Sequence, residues 1–139
     1  MSVGLETIAN QTRPVFDAYP SIELSVLFGS VAMGNARAES DLDIAVLLRR
    51  DASLSLMDEL QLQHELSVAT GLEVDLVRLD LTNPLVKQQV ARHGAPLLER
   101  VPGAFGRFSA DAMLEYLDLL PLFELGRKRY LARIAMGHK

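Results

Sequence analysis

Cysteine and tryptophan are absent from the 139-residue chain, aromatic residues make up only 6% of it, and bases do not outnumber acids. Without cysteine there is no disulfide scaffold, no thiol nucleophile and no Cys-ligated metal, a composition suited to a reducing compartment. The longest unbroken apolar run is the five residues from Ile44 to Leu48, far short of a bilayer span. Met1 to Tyr19 has neither a basic leader nor an apolar stretch, so no signal peptide is expected. Eighteen acids against fourteen bases give a net charge of −4, and a nonspecific nucleic-acid binder would carry a basic face instead. These absences predict a soluble, cytoplasmic domain with no membrane and no direct nucleic-acid partner. A chain of this length is sufficient to close one core without staples.

Hydrophobic periodicity orders the rest. Gly4 to Ala18 reads as a short helix. Ile22 to Phe28 reads as a strand, cut off by Gly29-Ser30, and Val31 to Glu39 is small and polar with a turn at Gly34-Asn35. A second strand is expected from Asp41 to Leu48 and a third from Leu72 to Leu79. Between them Leu54 to Thr70 has helical spacing, with Leu56, Leu60, His64 and Val68 as its apolar stripe and Gly71 as its C-terminal cap. Asn83-Pro84 opens a further helix that ends at Gly94, and Pro96 to Arg100 is short and extended. Val101 to Arg107 reads as a hinge. Ser109 reads as the cap of a C-terminal helical region that Pro121 kinks or splits. The order predicts a small α/β (α+β) sheet packed on helices with a helical tail: residues 1–100 as the domain, 101–139 as hinge and tail within the same compact unit.

The chemistry concentrates in Gly29-Ser30, ten residues, then Asp41-Leu42-Asp43. Carboxylates at i and i+2 of a strand share a face about 6.5–7 Å apart, while Leu42 and Ile44 point the other way. Such acids repel one another unless a cation sits between them. Mg²⁺ suits the position because it takes oxygen ligands and leaves sites open for phosphate oxygens, and two such ions can bridge attacking and leaving oxygens. Gly29 lets the backbone approach a bulky anion, and Ser30 offers a hydroxyl and an N–H. Asp75 on the third strand adds a third carboxylate and a candidate general base. The bland alternatives are a solvated edge strand for Asp41 and Asp43, ordinary alternation with Glu73 for Asp75, and a plain turn at Ser30. At ordinary residue frequencies the four fixed positions would fall together by chance in about one chain in a thousand of this length.

Gly29-Ser30-x10-Asp41-x-Asp43, with Gly34 inside the loop and Ser40 before the first aspartate, resembles the signature of the minimal nucleotidyltransferases of the polymerase-β superfamily. The resemblance runs from about Ser25 to Arg100 and takes in Val74-Asp75-Leu76-Val77 and Gly94-Ala95-Pro96-Leu97-Leu98. It implies a polymerase-β-like nucleotidyltransferase fold. Asp41, Asp43 and Asp75 would hold a pair of Mg²⁺ ions, and Gly29, Ser30, Arg37 and Ser40 would hold ATP. Relatives often carry Arg where this chain has Val31 and Met33, which leaves Arg37 or Arg49 to meet triphosphate charge. Members of this size are commonly antitoxins that transfer AMP to a tyrosine of a HEPN-domain RNase toxin. A Mg-dependent protein adenylyltransferase acting as an antitoxin is therefore the leading expectation. The alternatives are an antitoxin that neutralises by binding alone, and nucleotidyl transfer to a small molecule.

The remaining features have plainer readings. His64 is expected in the core, and His93 beside a helix C-terminus complements the dipole. Arg133-x4-His138 matches the Arg–His spacing of HEPN nucleases by coincidence. The tail from Ser109 to Met136 carries Met113, Tyr116, Leu117, Leu120, Leu122, Phe123, Leu125 and Tyr130, and the same stripe could fill the core or meet a partner chain or a second copy. Arg127, Lys128, Arg129 and Arg133 read as its solvated side.

Overall fold

The computed structural model describes residues 4–29 and 41–137. Helix α1 (Leu5–Asp17) leads into strand β1 (Ile22–Phe28); β2 (Leu42–Leu48), α2 (Leu56–Thr70), β3 (Val74–Arg78), α3 (Pro84–His93), β4 (Ala95–Glu99) and α4 (Ala104–Gly137) follow. The sheet order is β3-β2-β1-β4. β1 pairs antiparallel with β2 and with β4, whereas β2 and β3 run parallel, joined by the α2 crossover. The sheet is therefore mixed and packed on helices, the latter as the sequence predicts; the structure places helices on both faces and realises the extended Pro96–Arg100 stretch as β4.

Alternation along β2 builds two cores from one strand. Leu42, Ile44, Val46 and Leu48 join Ile8 and Phe16 of α1 and Leu62 and Leu66 of α2 on one face. On the other face Ala45 meets Leu24, Val26 and Leu79, with Val90 of α3 and Ala104, Phe108 and Ala112 of α4. Ser25 lies fully buried in β1, and its hydroxyl has no hydrogen-bond partner.

Helix α2 starts and stops on the expected chemistry: the Ser55 hydroxyl accepts from the Asp58 N–H at 3.1 Å, and Gly71 closes it at φ +73°. Its phase is a correction. Leu56 and Val68 are each 69% exposed and Leu60 51%, and His64 is exposed as well, so the stripe read as inward points outward. The inward side is Leu62 and Leu66 flanked by polar groups with a task. β3 is an edge strand; the Ser67 hydroxyl accepts from its Val74 N–H at 3.0 Å and the Gln63 side-chain carbonyl from its Leu76 N–H at 3.2 Å. Those donors would otherwise form an open edge.

Helix α3 is capped by the Asn83 side-chain carbonyl, which accepts from the Val86 N–H at 2.9 Å, with Pro84 at its first position. Helix α4 departs from expectation. It opens at Ala104, after Gly103 at φ +84°, where the Glu99 carboxylate accepts from the Phe105 N–H at 3.0 Å. The second half of the expected hinge is thus helical, and Ser109 lies inside the helix with a buried, unpartnered hydroxyl. Pro121 does not split α4, which runs through it for 34 residues in all. None of the described helices is long and apolar enough to cross a membrane.

Candidate active site

Strand register assembles the candidate site. Asp43 is opposite Phe28 on β1 and opposite Asp75 on β3, so it occupies the centre of three adjacent strands at one end of the sheet. Asp43 and Asp75 share the face that carries Ala45 and Val77 into the second core. Parallel pairing of β2 and β3 brings the two carboxylates together, although 31 positions of sequence separate them. Asp41 stands exposed just before β2.

Gly29 closes β1 at φ +78°, in the left-handed region where an L side chain is strained. A Cβ there would fall onto Asp43 Oδ2 and within 3.2 Å of its Cγ. The glycine is thus needed twice, for its backbone and for the space its missing side chain leaves to the carboxylate. Motif spacing contains the residue but not this contact.

Burial raises the Asp43 carboxyl above its ordinary value, and Asp75 and then Asp41 add to the rise. A half-buried acid facing two other acids is a donor set that a divalent cation would satisfy, because its charge reverses the repulsion. The residues therefore fit Mg²⁺. Among the described residues no three His, Cys, Asp or Glu side chains stand grouped closely enough to hold a metal as placed. Register brings Asp43 and Asp75 together; Asp41 acts on Asp43 through its charge.

Ser30, Arg37 and Ser40 lie outside the described residues, as do Val31, Met33 and His138. Arg49 is a correction. It follows the far end of β2, where its N–H donates to the Ser21 carbonyl at 2.7 Å. Six residues of strand put it about 20 Å from Asp43, beyond the reach of one side chain. A groove of about 520 Å³ lined by Glu23, Leu47, Arg50, Leu79, Lys87 and Phe108, among others, contains none of the three aspartates.

This geometry, a glycine turn against an aspartate whose neighbouring strand supplies another, accompanies a match of residues 10–102 to the family described as polymerase beta, nucleotidyltransferase. The chain belongs to that family. It is 36% identical over 81 residues to the protein adenylyltransferase MntA of Shewanella oneidensis, a stretch that covers 58% of this chain and 57% of that protein. The chain thus spans little more than half the length of that relative. It is 29% identical over 108 residues to the MntA of Aphanizomenon flos-aquae, covering 72% of each. Among solved structures, a toxin–antitoxin crystal structure with AMP-PNP superposes with a TM-score of 0.74 at 26% identity, covering 91% of this chain and 98% of that one. A mutant of the MntA–HepT toxin–antitoxin superposes at 0.72 with 25% identity, covering 96% and 99%.

Proposed function

We propose that this member of the polymerase beta nucleotidyltransferase family transfers AMP from ATP to a tyrosine hydroxyl of a HEPN-domain toxin and thereby acts as its antitoxin. Asp43, set against Gly29 and opposite Asp75, carries the reading. Similarity to two proteins named as protein adenylyltransferases, and to a toxin–antitoxin structure holding an ATP analogue, supports the nucleotide and the class of acceptor. In this reading Asp41, Asp43 and Asp75 hold Mg²⁺, which supplies Lewis-acid neutralisation of charge on the transferred phosphoryl group. Gly29 and Ser30 receive the triphosphate on backbone and hydroxyl, with Ser40 and Arg37 at its margin. Asp75, exposed, is positioned to take the proton of an incoming hydroxyl. The reading assigns catalysis to residues 1–100 and leaves 101–139 for support and partner contact.

The test is intact-mass spectrometry of the neighbouring gene's product after incubation with this chain, ATP and Mg²⁺. Gain of whole AMP units is expected. Asp43→Asn should reduce that gain at least about 10²–10³-fold, on the scale of losing one electrostatic contact to a developing charge. Undiminished transfer by Asp43→Asn overturns the site. A second reading, an antitoxin acting by contact alone, draws on the uncharged Val31 and Met33 where relatives often carry Arg. Protection of cells by Asp43→Asn as complete as by the wild type would favour it.

A further inference from the structure

The packed part of α4 ends before the helix does. Ala104, Phe108 and Ala112 are buried against the second core, and Lys87 of α3 reaches Glu115 at 3.3 Å. From Pro121 to Met136 every residue is exposed. An isolated polar helix of that kind would be unremarkable, but this one carries Leu122, Phe123, Leu125, Tyr130, Leu131, Ile134 and Met136 into solvent. Along the helix Met113, Tyr116, Leu120, Phe123, Arg127, Tyr130 and Ile134 follow alternating steps of three and four, the spacing of a two-helix seam. The seam is continuous in space: the Tyr116 and Phe123 rings, seven residues apart, have centroids 6.0 Å apart. Its first part is half-buried on the body and its second part has no partner among the described residues.

Charge selects the occupant. Pro121 to Met136 holds Arg127, Lys128, Arg129 and Arg133 against the single acid Glu124, which leaves ten bases against seventeen acids for the rest of the chain. Arg127 lies on the seam itself, in loose contact with Glu124 at 3.4 Å across open surface. Pairing the seam with a second copy in parallel register sets Arg127 against Arg127, and antiparallel pairing about the middle of the exposed half sets Arg127 against Tyr130 while still laying the basic stretch on itself. A single polar residue on a seam fixes partner and register in this way.

We infer that the exposed half of α4 is a docking arm for an amphipathic helix of a different, acidic protein, which lays an apolar heptad face on Phe123, Tyr130 and Ile134 and places a carboxylate opposite Arg127. The arm shares no residue with the candidate site, so it can hold the acceptor protein while the sheet end acts. The inference rests on the proposed function only in taking that partner to be the HEPN-domain protein.

The test measures binding of the full-length chain to the neighbouring gene's product, with any RNase activity inactivated, by titration calorimetry, with AMP transfer followed in parallel. Tyr130→Glu and Arg127→Glu should each weaken binding about tenfold or more, and Arg127→Lys should stay near wild type. Both positions are exposed on the helix, so unchanged thermal midpoints should accompany the loss. The chain alone should be monomeric by light scattering. Equal affinity of wild type, Tyr130→Glu and Arg127→Glu, with AMP transfer intact, overturns the docking arm and leaves the proposed function standing. A dimer of the chain alone that Tyr130→Glu dissolves assigns the seam to a second copy and overturns the inference. Neither binding nor transfer by the wild type overturns both.

Discussion

Replacing Gly29 by Ala isolates the contact on which the site assignment depends. The backbone there has φ +78°, and holding an L residue in that region costs roughly 1–2 kcal/mol. The added methyl also occupies the place of Asp43 Oδ2, so the carboxylate must rotate away. A forced off-rotamer side chain adds about 0.5–1.5 kcal/mol. The expected destabilisation is therefore about 2–3 kcal/mol, or roughly 5–12 °C in Tm for a chain of this size. Calorimetric unfolding reads the first quantity, and AMP gain by intact mass reads the displacement of Asp43. In the Asp43→Ala background no carboxylate meets the new methyl, so Gly29→Ala should cost only the backbone part. An equal cost in both backgrounds would refute the carboxylate contact while leaving the strained turn. A variant as stable and as active as wild type would refute both.

Two further perturbations test the packing. Ser25→Ala removes a buried hydroxyl without a partner and should raise stability by about 1 kcal/mol; a fall in Tm would mean that the hydroxyl is bonded. Tyr19 lies beside Glu65, to which its hydroxyl donates at 2.9 Å; burial first, then this bond, push its pKa up from 10.0 to about 12. The folded chain therefore holds that proton more tightly than the unfolded chain, and the stability it brings is complete below pH 10 and lost as pH rises towards 12. Urea midpoints measured from pH 9 upward should fall more steeply in wild type than in Tyr19→Phe, and parallel slopes would exclude the contribution.

The candidate site is legible where chemistry constrains residue type and spacing together. Gly29, Asp41 and Asp43 are close in sequence, and their alternation against Leu42 and Ile44 already separates site from core. Asp75 was less secure from sequence, because an acid on a half-exposed strand has the plain alternative of facing water. Its meaning comes from parallel pairing with β2, which sets it opposite Asp43. Arg49 was misplaced for the complementary reason: six residues are short in sequence and long on an extended strand.

The reversed face of α2 shows where hydrophobic periodicity loses its authority. Two stripes at four-residue spacing coexist in that helix, Leu56-Leu60-His64-Val68 and Leu62-Leu66, and counting apolar residues favours the longer one. The deciding term is the open edge of β3. Ser67 and Gln63 receive two of its N–H donors, and Arg78 at the end of the same strand is held by Glu59 at 3.1 Å. A buried donor without an acceptor costs about 1–3 kcal/mol, so these inward polar contacts together rival the burial of the leucines left outside. The helix turns the side that completes the sheet towards it, and that requirement is invisible until the edge strand is placed. The same accounting applied to α4 gives the opposite result. Beyond Pro121 no sheet edge or core among the described residues chooses a face, and the apolar residues there stay exposed.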